Sequence, residues 1–301
     1  MNSRKFLFLL AVGALGLGWG CKNNTTTAPS ADHPLDFVVG GDIGPGKNEF
    51  SAPMGLCVDG SDNLYVADYG NSRIKQYDSN GACQAVWGGP ATVATVAAAL
   101  NHPWGLALDS AGNILEVDHD TEQIQEFTTA GALVAQYGSF NVATWNAAGP
   151  GGVNMVSDDT GVHLFNGSGA NGILATPGGS AFGHYALDPS GLAYDAKGDI
   201  YVGDLGNHRI DVYDSTGTPV SIWGAGRFSS IAGMALDRSS NLLVADAGSR
   251  LIFKFDKFGN FVESWMPDTV AQPMDVAVDS TGAIWVSFQD VSQAFLAKFA
   301  H

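Results

Sequence analysis

Four donor side chains crowd into five residues: Glu116, Asp118, His119 and Asp120. Carboxylate oxygens and imidazole nitrogens at such spacing are ligands for a divalent cation. Glu116 is the odd member, because related stretches carry Val66, Val202 and Val244 at its position. A carboxylate is costly to bury unless paired, so a distorted, solvated edge is expected around it. A second group could hold a ligand: His102, Trp104, His119, His184, Tyr185, His208 and Arg227. Trp104 and Tyr185 offer ring faces on which a sugar or a peptide side chain could stack. A third set recurs too regularly for catalysis. Asp59, Asp109, Asp195, Asp237 and Asp279 each close an apolar run before a turn. An Asp there caps the turn by accepting backbone N–H bonds.

The elements that position these residues are repeats. Gly55-Leu56-Cys57-Val58-Asp59 recurs as Gly105 to Asp109, Gly191 to Asp195, Gly233 to Asp237 and Asp275 to Asp279. A turn and a second apolar run follow each copy, such as Leu64 to Asp68 or Ile114 to Asp118. Third runs include Ile74 to Tyr77 and Ile252 to Phe255, and fourth runs end on Trp87, Tyr137, Trp223 or Trp265. Four short β-rich runs per roughly 40–45 residues describe a β-propeller blade. The interval from Gly105 to Gly191 leaves room for a degenerate third unit, expected to open at Gly152-Val153-Asn154-Met155. The last unit is one strand short, and Asp36 to Gly40 resembles a fourth strand. The expected fold is all-β: six blades of four antiparallel strands over residues 35–301, closed by the N-terminal strand.

With 39 Gly and 15% charged residues, the composition favours tight turns and buried strands. The formal charge of −16 repels phosphate backbones and excludes nucleic acid as an expected partner. Residues 1–20 read as an export signal: Arg4 and Lys5, then an apolar run from Phe6 to Leu17. The segment is similar to a bacterial lipoprotein signal with Cys21 as the lipidated residue, and 21–34 is a polar tether. The expected location is the cell envelope, with the membrane reached only through that lipid. Cys57 and Cys83 fall on the first and fourth strands of one blade, too far apart for a disulfide, and are expected as free, buried thiols.

The loop Val202-Gly203-Asp204-Leu205-Gly206-Asn207-His208-Arg209-Ile210 resembles the NHL repeat. Val66 to Ile74 repeats it, Val244 to Ile252 is a weaker copy, and unit two has Gln123 in place of Arg. Asp68, Asp118, Asp204 and Asp246 are expected to brace the second-to-third-strand loops, with Arg73, Arg209 and Arg250 as partners. The resemblance implies a ligand site where the fourth-to-first and second-to-third loops meet the central channel. Met54, Trp145, Phe228 and Met274 are expected there beside the ligand-binding group above. The reading is a monomeric, non-catalytic module binding a protein, peptide or small molecule, with no resident cofactor beyond a possible divalent cation. The other reading is a metal-dependent lyase or lactonase, as in peptide-amidating lyase-like, gluconolactonase-like or virginiamycin-lyase-like propellers. His119 with Glu116 is a faint echo of the last.

Overall fold

A computed structural model describes residues 33–89, 100–166, 169–177, 184–185, 189–266 and 270–300. The export signal and Cys21 lie outside the described residues. Blade 1 comprises β2 (Pro53–Val58), β3 (Leu64–Asp68), β4 (Arg73–Tyr77) and β5 (Cys83–Gly88). Blade 2 comprises β6 (Pro103–Leu108), β7 (Ile114–Asp118), β8 (Gln123–Phe127) and β9 (Leu133–Tyr137). Blade 3 holds β10 (Asn146–Ala148), β11 (Asn154–Asp158), β12 (Gly161–Asn166) and β13 (Gly169–Pro177), with a short parallel β14 (His184–Tyr185) at its edge. Blade 4 holds β15 (Pro189–Tyr194), β16 (Ile200–Asp204), β17 (Arg209–Tyr213) and β18 (Pro219–Trp223). Blade 5 holds β19 (Ile231–Leu236), β20 (Leu242–Asp246), β21 (Leu251–Phe255) and β22 (Phe261–Trp265). Blade 6 is β23 (Gln272–Val278), β24 (Ile284–Gln289) and β25 (Ala294–Phe299), completed by β1 (Leu35–Gly41).

The expected clasp is present. β1 pairs antiparallel with β25, from Leu35 opposite Phe299 to Gly41 opposite Ala294. His33 secures the approach: it stacks on Trp265 at 4.0 Å and bonds Glu263 at 3.0 Å, tying the first residues to blade 5. A second fastening lies just beyond β1. Arg73 donates to the carbonyls of Pro45, Gly46 and Glu49, and Lys75 to those of Lys47 and Glu49. The two blade 1 cations thereby hold segment 45–49 as a strap.

Middle strands are apolar on both faces because both face another blade. Leu115 and Val117 pack toward blade 3, in a cluster with Phe140, Val156 and Phe165. Ile114 packs toward blade 1, with Tyr65, Ala67 and Trp87. Near the axis the inner strands approach at backbone distance. A Cβ on Gly55 would fall 2.5 Å from the Trp104 carbonyl, and one on Gly233 only 1.8 Å from Asp275 Oδ1. Glycine opens most first strands because a side chain there would displace the next blade.

Two expectations about elements are corrected. Blade 3 opens at Asn146, not Gly152; residues 154–158 form its second strand, which ends on Asp158 just as β3 ends on Asp68. A short 3-10 turn over Pro150–Gly152 replaces the usual Asp-capped turn, which displaced the repeat frame. Cys57 is buried as expected, but Cys83 is only half-buried because it opens an outer strand. Neither is in a disulfide.

Candidate functional site

The repeated aspartates are structural. Asp59 Oδ1 accepts the N–H groups of Ser61 and Asn63, and Asp109, Asp195, Asp237 and Asp279 hold their turns alike. The second set braces the second-to-third-strand loops. Asp68 meets Arg73 at 2.7 Å and Asp204 meets Arg209 at 3.2 Å. Arg250 is exposed and forms no ion pair with Asp246, whose oxygens take the N–H groups of Ser229, Ser230, Gly248 and Ser249 instead. Those four donors replace the arginine.

At the mouth of the channel, blades 1 and 2 bring four rings together. Tyr69 follows β3, His102 and Trp104 open β6, and His119 follows β7. Ring centroids lie 4.6 Å apart for Tyr69–His102, 5.3 Å for Tyr69–Trp104 and 5.1 Å for Trp104–His119. Each histidine is oriented through Nδ1. His102 donates to Asp120 Oδ2 at 2.7 Å, and His119 donates to the Ala143 carbonyl at 3.1 Å. The Nε2 edge of each ring stays available. The indole N–H of Trp104 is buried without a partner. Burial and then the Asp120 charge raise the Tyr69 phenol above its ordinary range, so it stays a neutral donor. Such a cluster stacks on a ring-faced ligand and supplies polar groups around its rim.

Sequence reasoning found three of these rings and missed Tyr69. The signal was available: Tyr69 holds, after its strand-ending Asp, the position of His119 after Asp118. Of the other expected members, those whose side chains are described do not join. His208 is exposed in blade 4, two blades away. Arg227 lies over the Phe261 ring at 4.3 Å, on an outer strand of blade 5. Met54, Trp145 and Met274 are buried together and plug the channel, and Phe228 is buried against Phe253. The backbones of His184 and Tyr185 form β14; their side chains lie outside the described residues.

The cation set does not assemble. Asp118 accepts from Asn101, Thr121 and Gln125, Asp120 from His102, and His119 faces blade 3. Among the described residues no group of three or more His, Cys, Asp or Glu side chains is placed to hold a metal ion. Nor is Glu116 at a solvated edge. It is fully buried in the middle of a regular β7, and neither carboxylate oxygen has a partner. Blade 1 carries Arg73 and Lys75 opposite Asp68 and Val66; blade 2 carries Gln123 and Gln125 opposite Asp118 and Glu116. Two buried acids thus share one face where blade 1 has one acid and two cations. Burial, then the Asp118 charge, pushes the Glu116 carboxyl well above the ordinary range.

A cavity of about 190 Å³ lies along the axis, lined by inner strands from β2, β6, β10, β15, β19 and β23. Half-buried Leu108, Ala148, Tyr194 and Leu236 mark its end where first strands finish, opposite the four-ring cluster. Asp275 lines it. Its oxygens accept from Leu56 N at 2.7 Å and Val276 N at 2.8 Å. Burial outweighs both bonds and pushes this carboxyl up to about 8.

Comparison with known proteins agrees with the repeat pattern. The NHL repeat is found at residues 50–77 and 187–213. No curated protein matches the chain in sequence. Solved structures match in fold. Catalytically inactive virginiamycin B lyase from Staphylococcus aureus, with quinupristin, is 12% identical, over 86% of this chain and 82% of that one, at a TM-score of 0.59. A gluconolactonase from Xanthomonas campestris is 13% identical, over 89% and 99%, at 0.61. A protein of unknown function from Bacteroides thetaiotaomicron is 14% identical, over 86% and 72%, at 0.66. The chain is therefore similar to several enzymes in architecture.

Proposed function

We propose that this NHL-repeat propeller is an exported, lipid-anchored binding module of the cell envelope. It takes a peptide side chain or a saccharide at the channel mouth between blades 1 and 2. The observation that carries the reading is the contact of Tyr69, His102, Trp104 and His119, with both histidines oriented through Nδ1. Rigid aromatic rings provide contact area with little rotamer entropy to lose. The apolar signal run, Cys21 and the polar tether support the anchor. Replacing Cys21 by Ala releases the protein from membranes on this reading; a native protein already free in solution contradicts the anchor.

The binding claim is tested on peptide and glycan arrays with the native chain, Trp104→Ala and Tyr69→Ala. Saturable binding of one class, lost in both variants, supports it. A second reading, metal-dependent lyase or lactonase activity, draws on the virginiamycin B lyase and gluconolactonase likeness and on the open Nε2 of His119. Opening of a cyclic depsipeptide or a sugar lactone, abolished by His119→Ala, would establish that reading in place of the first.

A further inference from the structure

The axial cavity is a second site, separate from the four-ring mouth, and its chemistry is one-sided. Asp275 brings a carboxyl group from blade 6, ionised above its raised value. Asn146 enters from blade 3, on the opposite side of the ring; its side chain donates to the Leu115 carbonyl, and its Oδ1 is buried with no partner. Tyr194 from blade 4 lines the same cavity, and its buried hydroxyl is also without a partner. Trp145 also lines the cavity. The polar atoms left over are thus oxygen acceptors, one hydroxyl among them also able to donate, and among the described residues no cationic side chain lines the cavity. Buried acceptors without donors are unfavourable unless something supplies the donors. A donor-rich cation does so, and an indole face attracts it as well. The remaining walls include Leu56, Leu106 and Met234, which suit a short alkyl group. A volume of about 190 Å³ limits the guest to a few heavy atoms. The chain's formal charge of −16 draws cations toward either opening.

We propose that the axial cavity binds a small organic monocation of the alkylammonium class, with its nitrogen among Asp275, Asn146 and Tyr194 and its alkyl part against the apolar walls.

The test is calorimetric titration of the full chain at pH 9, where Asp275 is ionised, with n-butylammonium chloride. 1-Butanol serves as neutral isostere, and KCl and MgCl₂ as inorganic cations. Saturable 1:1 binding is expected for butylammonium only. Asp275→Asn should weaken it about tenfold or more, the scale of a lost charge-assisted hydrogen bond. Tyr194→Phe, which keeps the ring, should weaken it several-fold, and it decides the matter should Asp275→Asn fail to fold. Trp104→Ala should leave it unchanged, separating this site from the mouth. Equal binding of 1-butanol, occupancy by an inorganic cation alone, absence of saturable binding, or full affinity in folded Asp275→Asn or in Tyr194→Phe would each overturn the proposal.

Discussion

Glu116 shows how one residue can set a pH dependence. Its carboxyl is fully buried, unpartnered and shares a face with Asp118. Its pKa in the folded chain is raised, so the unfolded chain ionises first as pH rises. The folded state is therefore unpenalised below the ordinary glutamate range and loses stability as pH climbs toward the raised value. Glu116→Gln removes that loss. It should stabilise the protein by about 1–3 kcal/mol at pH 8, and by little or nothing at pH 4. Urea melts of both proteins at the two pH values check this; an equal gain at both would show that packing, not ionisation, is responsible. Glu116 was legible as an anomaly from the valines at its sister positions. Its burial was not, because only the pairing of Glu116 with Leu106 on one side and Gln125 on the other shows that the edge does not open there.

At the scale of elements, the strap over blade 1 depends on Arg73. Its guanidinium meets Asp68 at 2.7 Å and three backbone carbonyls of segment 45–49. Arg73→Gln leaves Asp68 with Lys75 at 3.7 Å and frees the strap. The expected cost is about 3 kcal/mol, with hydrogen exchange accelerating first at residues 44–50. Blade 2 already has Gln at the equivalent position, and there Gln125 takes up Asp118 at 2.9 Å. Unchanged exchange across 44–50 would mean that Lys75 alone secures the strap. Blades 1, 2, 4, 5 and 6 are readable because strand-ending Asp and turn recur in register, with glycine at the opening of all but blade 6, which has Asp275. Blade 3 reads one strand late because Asn146 stands at its opening and its glycine, Gly152, follows the first strand. The loop cluster was partly readable, since His102, Trp104 and His119 stand out by type. Arg227 and His208 have suitable side chains, but His208 lies in a loop of blade 4 and Arg227 in the connection from blade 4 to blade 5, away from blades 1 and 2.

For the whole molecule, closure rests on β1. Without it, β25 would be a free edge in a blade that also seals against blades 5 and 1. Deleting residues 35–41 should lower the Tm and promote self-association, seen as a concentration-dependent shift in sedimentation. A monomeric variant melting like the native chain would show that three strands suffice in blade 6. The two ends of the channel also differ. The mouth between blades 1 and 2 gathers rings, whereas the axial cavity gathers acceptors around Asp275. Side-chain pairing of this kind is not encoded in local sequence. Nothing in the local sequence marks Asn146 and Tyr194; their partnerless buried oxygens do.

The most direct test is ¹⁹F NMR of the chain carrying 5-fluorotryptophan, titrated with peptides and saccharides selected on the arrays. The Trp104 signal is assigned by its loss in Trp104→Phe. It should shift saturably with ligand, while the signal of fully buried Trp285 in blade 6 stays fixed. A ligand that binds without moving the Trp104 signal, or no ligand of either class that moves it, would contradict the account.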